Sequence, residues 1–298
     1  MRLSFASAPA TESSTAKDAA QDAFQAPNDV RVAMVVEQMW QPVPGGSGTY
    51  ITNLAHSLRA QGVKVAGIAA RRSHNDPGAS AVGLETMPVR YANLPRPALY
   101  EAWNRLHSPL AESILPASDL VHATTWAIPP TRKPLVVTVH DLAFLRNPEH
   151  FTKRGNSYFR KSLQRTIKEA QAVIVPSQAT ADDCYEAGID SERVHVIPHG
   201  VSVQEVTASQ IDLFRTAYGL SRPYVLWTGT REPRKNLPGL LHAFSRIAGE
   251  FPQLDLVLVG PSGWGDDAVE RQLIQAIGTS RVHVLGHLAQ DTLQQAYA

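Results

Sequence analysis

Apolar residues along this chain come as short unbroken runs, separated by longer segments striped at intervals of three and four. Val32-Ala33-Met34-Val35-Val36 is nearly continuous, the pattern of a strand covered on both faces. After a loop and Gly45-Gly46-Ser47-Gly48, the stripe Ile51, Leu54, Ala55, Leu58 predicts a helix from Thr49, stopped by Gly62. Val63-Lys64-Val65-Ala66-Gly67-Ile68 returns as a strand and completes a βαβ unit. Residues 76–116 are rich in proline, with one helix expected over 98–107. Further strands are predicted at 120–122, 135–139, 172–175 and 194–197, with a basic helix over roughly 155–170. Ser177 and Gly188 frame another helix as N-cap and stop.

The polar stretch from Pro198 to Arg222 reads as a connection, with a short helix near 212–218. From Tyr224 the alternation restarts, with strands at 224–228, 254–259 and 281–285 and helices at 237–249 and 267–277. A last helix begins near Asp291. Two successive βα repeats predict an α/β chain of two Rossmann-like domains, 30–200 and 223–298, joined by a linker over 201–222. Three strands are few for a doubly wound sheet, so the second domain is expected to be incomplete and the chain truncated. Residues 1–29, dominated by Ala, Ser, Thr and Gln, read as a disordered tail; their apolar stretch is broken by Ser and Pro, which makes a poor signal peptide.

Composition narrows the class. The 298 residues are 43% hydrophobic and 18% charged, enough to bury substantial cores. A net charge of +1 provides no global field for nucleic acid, and none is expected as a partner. No apolar run reaches the ~20 residues of a membrane span. The single cysteine, Cys184, excludes an intramolecular disulfide and fits a reducing cytoplasm. The 11 histidines show no zinc-like spacing, so no metal site is expected.

The chemistry is concentrated in loops that leave strands. Gly229-Thr230-Arg231-Glu232-Pro233-Arg234-Lys235-Asn236 lies between a strand and an amphipathic helix striped by Leu237, Leu240, Leu241, Phe244, Ile247 and Ala248. Loops at the carboxyl ends of parallel strands are where open α/β sheets bind ligands. Arg234 and Lys235 beside a helix N-terminus suit a diphosphate, and Glu232 suits orienting one of those cations better than acting as a base. The same residues also suit a solvated basic turn. Gly46, Ser47 and Gly48 allow close backbone approach to an anion, but they do not form the dinucleotide G-x-G-x-x-G, and no acidic residue ends the next strand, so NAD is poorly supported.

His140-Asp141 ends the strand over 135–139, where the histidine would point into a cleft and donate to a sugar hydroxyl; a structural His beside a helix-capping Asp is the plainer alternative. His122 would line the same crevice. Gly260-Pro261-Ser262-Gly263 and Gly286-His287-Leu288 follow the next two strands, and their backbones would face a nucleobase and ribose. Lys153, Arg154, Arg160, Lys161, Arg165 and Lys168, with Tyr158 and Phe159, form a basic surface suited either to water or to peripheral contact with an anionic membrane at its inner face.

Gly45-Gly46-Ser47-Gly48, Val139-His140-Asp141, Ile197-Pro198-His199-Gly200-Val201 and Glu232-Pro233-Arg234-Lys235-Asn236 occur in the order seen in retaining glycosyltransferases of family four, and the chain resembles that family over residues 31–298. The resemblance implies the GT-B fold, two Rossmann-like domains facing a cleft. It implies transfer of a hexosyl or deoxyhexosyl unit from a nucleotide diphosphate sugar to a glycan or lipid-linked acceptor, with retained configuration, in polysaccharide biosynthesis. The nucleotide sugar is a substrate, and no cofactor is expected. By the same resemblance Arg234 and Lys235 hold the diphosphate, Gly46 to Gly48 approach it from the first domain, and His140 contacts the donor sugar. Gly229, Glu232, Gly260, Gly286, His287 and Leu288 complete the donor-side set. The family pattern continues with two glutamates eight residues apart, expected beyond Ala298, so the chain alone is expected to turn over little. The alternatives are a nucleotide-sugar epimerase on the same fold and a non-catalytic nucleotide-sugar-binding fragment.

Overall fold

Strands β1 (Arg31–Val35), β2 (Lys64–Ala69), β3 (Val89–Tyr91), β4 (Leu120–Ala123), β5 (Leu135–Thr138), β6 (Ala172–Val175) and β7 (Val194–Val196) form one wholly parallel sheet in the order β3-β2-β1-β4-β5-β6-β7. The computed structural model describes residues 30–298 except 74, 86, 202 and 264–266; the tail expected over 1–29 lies outside them. Strand order reverses between β1 and β4, whose register sets Met34 opposite His122. That reversal leaves a crevice at the carboxyl edge, the usual ligand position in doubly wound sheets. Met34 and Ile51 are fully buried, and Ile51 carries the Gly45–Ala60 helix onto the sheet.

β3 escapes the sequence pattern because it is an edge strand: Arg90 and Tyr91 are exposed and only Val89 is half-buried. The Pro-rich segment holds a helix at Arg96–Glu101 that widens into a π-helical stretch at Ala102–Leu106. The glycine-rich segment differs from its expectation. It is the first turn of the Gly45–Ala60 helix, with Gly48 N–H donating to the Pro44 carbonyl at 3.2 Å, rather than a loop ahead of Thr49. Pro44 already has helical dihedrals, so the turn begins there.

The basic Lys153–Glu169 helix is less basic on its surface than its sequence suggests. Arg165 is buried and donates to the Ile128 carbonyl at 2.5 Å and to Glu169 at 2.9 and 2.7 Å. Tyr158 stacks on Tyr100 with ring centroids 5.5 Å apart. The charged guanidinium thus satisfies inward-facing carbonyls. Among the described residues no helix is long and apolar enough to cross a membrane.

The chain divides into two compact units, Met1–Ala143 with Lys153–Pro198, and Phe144–Thr152 with His199–Ala298. The second contains a three-stranded parallel sheet, β10 (Val282–Gly286), β9 (Asp255–Val259) and β8 (Tyr224–Thr228), with β9 central. β9 is buried along its length, and its alternate residues enter different cores. Leu256 and Leu258 pack with Leu237, Leu241 and Phe244, while Val257 and Val259 pack with Phe214, Leu220 and Leu288. Helices on both faces explain the continuous apolar run. Residues 201–222, expected as a linker, hold the Ala208–Ala217 helix, started by a Thr207–Gln210 capping box and anchored in this core by Phe214.

Candidate functional site

At the carboxyl edge of the first sheet the Gly45–Ala60 helix meets the end of β5 through Tyr50 and Thr138. Gly46 is exposed with open space around it, whereas a Cβ at Gly48 would lie 2.5 Å from Pro44 Cβ. Only glycine lets the helix start fold back so closely, and the start leaves unpaired N–H groups at its tip. Ser47, between them, is half-buried.

His140 lies two residues beyond β5. Its Nε2 is 3.1 Å from the Thr124 carbonyl oxygen. A carbonyl can only accept, so Nε2 carries the proton and donates. In the neutral ring Nδ1 then carries no proton. Asp141 Oδ1 accepts from Ala143 N–H at 3.1 Å and caps the short turn that follows. The Tyr50 ring stands edge-on to His140, with centroids 5.0 Å apart and planes at 89°.

His122, expected to line the crevice, is internal. It is 5% exposed, and its Nε2 lies 2.8 Å from Thr138 Oγ1. Burial, followed by the nearby His140, pulls its pKa down to about 4. An unfolded histidine titrates near 6.5, so between these values the unfolded chain binds more protons than the folded one. Stability is therefore complete above pH 6.5 and erodes as pH falls towards 4, by roughly 3 kcal/mol. We expect urea unfolding of the first unit to lose about that much between pH 7.5 and 4, with a clearly smaller loss in His122→Asn. Equal losses in both proteins would show that His122 is not the source.

Glu37, fully buried after β1, accepts from Ala70 N–H at 2.7 Å and pairs with Arg72 at 2.5 Å. The Arg72 guanidinium lies 4.8 Å from the centre of the Trp40 ring. This pair is closed on itself and holds the ends of β1 and β2 together.

In the second unit, three glycines mark the ends of β8, β9 and β10. Gly229, Gly260 and Gly286 have φ of 152°, 140° and 72°, conformations that L side chains rarely adopt. Gly229 N–H donates to the Val259 carbonyl at 3.0 Å, and Gly260 N–H to that of Gly286 at 2.7 Å. Beyond Gly229, Pro233–Lys235 forms a single 3-10 turn. Asn236, at φ 48°, accepts from Gly239 N–H and caps the Leu237–Ile247 helix. Both cations thus stand one turn ahead of a helix N-terminus.

The two cations differ. Arg234 Nη2 donates to Glu232 Oε1 at 2.8 Å. The Lys235 side chain is exposed, and among the described residues its ammonium makes no hydrogen bond or ion pair. A third cation, unnoticed in the sequence, lies beside them: Arg231 Nη2 donates to Ser262 Oγ at 2.6 Å, and its guanidinium is 3.7 Å from Glu270. Backbone pairing of Arg231 with Ser262 brings the two loops together, and an arginine in sequence carries no mark of such a distant partner. His287 is exposed, but the Leu288 side chain is buried with Phe214 and Val257, so only its backbone can meet a ligand.

The family model described as Glycosyltransferase Family 4 matches residues 44–205, more than half of the chain. O-antigen chain mannosyltransferase B of Escherichia coli is 26% identical over 210 residues, covering 68% of this chain and 55% of that protein. Alpha-maltose-1-phosphate synthase of Mycolicibacterium smegmatis is 29% identical over 252 residues, 77% and 60% of the two chains. The chain spans about half the length of the curated relatives it matches. Among solved structures, Anabaena HepE in complex with UDP and glucose superposes with a TM-score of 0.62 at 21% identity, covering 90% of this chain and 71% of that one. WaaG, a glycosyltransferase involved in lipopolysaccharide biosynthesis, superposes with a TM-score of 0.63 at 17% identity, covering 89% and 72%. The glycine-started helix, the histidine after β5 and the paired cations after β8 therefore sit in a chain that belongs to glycosyltransferase family 4 and has the GT-B fold.

Proposed function

We propose that this protein transfers a hexosyl or deoxyhexosyl unit from a nucleotide diphosphate sugar to a glycan or lipid-linked acceptor, with retention of configuration. The observation that carries the reading is Lys235, an exposed ammonium with no partner among the described residues, one turn ahead of the Leu237–Ile247 helix and beside Arg234. As a glycosidic bond breaks, negative charge develops on the departing phosphate oxygen. Fixed cations and helix N–H groups aimed there stabilise the transition state more than the ground state. Within the first unit, Gly46 has open space around it at the start of the Gly45–Ala60 helix, and His140 is assigned to a sugar hydroxyl. HepE was solved with UDP and glucose, and the E. coli relative is an O-antigen mannosyltransferase, which support this donor and acceptor chemistry.

Product stereochemistry tests the reading. The chain, at a concentration stoichiometric with UDP-, GDP- or ADP-linked hexoses and a glycan acceptor, is expected to yield an α-linked product from an α-linked donor, read from the anomeric proton coupling. A β-linked product would exclude retention, and an epimerised sugar formed without acceptor would replace transfer with isomerisation.

A further inference from the structure

Tyr50 is the sixth residue of the Gly45–Ala60 helix, yet its side chain belongs to the strand ends. Its hydroxyl lies 3.0 Å from Thr138 Oγ1, on the last residue of β5. Thr138 is buried, and the same oxygen is 2.8 Å from His122 Nε2 on β4. A hydroxyl has one proton and two acceptor sites, so Thr138 can serve both neighbours at once, donating to one and accepting from the other. The chain Tyr50–Thr138–His122 is complete in either direction. At its open end the Tyr50 ring meets His140 edge-on, while the Thr124 carbonyl holds His140 Nε2. Thr124 is itself tethered, its hydroxyl donating to the Val35 carbonyl at 2.5 Å.

A phenylalanine at position 50 would pack its ring as well and would spare the cost of desolvating a hydroxyl. The phenol is matched instead to two further polar groups in the interior. We propose that Tyr50 is a positioning residue: its hydroxyl, fixed by Thr138 and His122, sets the ring that orients His140. The same bond locks the helix that begins at Gly45 to the strand that ends before His140, so the glycine turn and the histidine keep one spacing. The assignment rests on the reading of His140 as a donor-sugar contact, and two measurements separate the two claims.

The first is the ring nitrogen spectrum of His140 in the 298-residue chain labelled with ¹⁵N-histidine. In the parent we expect one tautomer, protonated at Nε2. Tyr50→Phe and Thr138→Val should each mix the tautomers or broaden the signal, with His242 and His283 unmoved, and Thr138→Ser should restore the parent spectrum. An unchanged His140 signal in both variants, or a Thr138→Ser spectrum as altered as that of Thr138→Val, would overturn the positioning role. The second measurement is the single-turnover transfer rate at saturating donor. Tyr50→Phe should fall about tenfold with donor affinity and melting temperature retained, Thr138→Val should fall as far although it also loses the partner of His122 and some stability, and the double variant should fall no further than either single one. Multiplying effects, or rate losses that track the melting temperature, would also overturn the role. If calorimetry finds no binding of any nucleotide sugar to the parent, the transferase reading fails, and the nitrogen spectrum still decides the role of Tyr50.

Discussion

Replacing Lys235 with alanine is expected to weaken binding of a nucleotide diphosphate by about 10- to 100-fold, measured by calorimetry at fixed salt with UDP, GDP and ADP. A hydrogen bond to a charged group contributes ~1.5–3 kcal/mol, and every 1.4 kcal/mol is tenfold in affinity. Lys235 can give nearly all of that to a ligand, because its ammonium has no ion-pair partner among the described residues to give up. Arg234 starts from a different position. Its guanidinium already donates to Glu232, so a phosphate must share or displace that carboxylate. Arg234→Ala is therefore expected to cost less affinity than Lys235→Ala. Glu232→Gln, which weakens the hold on Arg234, should tighten binding slightly in the parent and have no effect in Arg234→Ala. Raising the salt should narrow every difference, since these charges are exposed and screened. Unchanged affinity in Lys235→Ala would remove the diphosphate from this loop altogether.

Gly260→Ala is expected to destabilise the second unit by at least about 4 kcal/mol. Two independent costs coincide at this position. Its φ of 140° is poorly tolerated by any L side chain. A Cβ built there would also run into the carbonyl oxygen of Gly229, and backbone cannot rotate aside as a flexible side chain does. Relief requires β8 and β9 to separate where Gly229 N–H meets the Val259 carbonyl. Hydrogen exchange read by mass spectrometry should show faster exchange in β8 and β9 and little change in the first sheet. Gly46→Ala is the contrast, since nothing lies within 4 Å of its added carbon, and it should leave stability near the parent value. Parent-like exchange in Gly260→Ala would mean that the strand ends shift apart far more readily than their hydrogen bonds suggest.

What could be read in the sequence follows from how local each signal is. Strands buried on both faces, such as β1 and β9, appear as apolar runs because every residue of the run enters a core. β3 could not be read that way, since its pairing with β2 is made by backbone while two of its three side chains face solvent. The turn from Glu232 to Asn236 was legible because Pro233, the cations and the capping asparagine all act within a few residues. Residues that act at a distance were not. Tyr50 reads as an ordinary helix position, Arg231 as one more cation of a basic loop, and His122 as a crevice residue, yet each is defined by partners 88, 31 and 16 residues away. The side chain of Leu288 closes a core, a placement its turn sequence does not announce.

The lateral stitching of the three glycines divides the carboxyl edge of the second sheet into parts with different freedom to vary. At the stems, Gly229 donates to Val259 and Gly260 to Gly286, and a Cβ at Gly260 would collide with the Gly229 carbonyl. A few residues further out, Glu232, Arg234 and Lys235 sit on a single turn whose conformation is set by Pro233 and Asn236. Such a tip can exchange side chains without any strand having to be rebuilt beneath it.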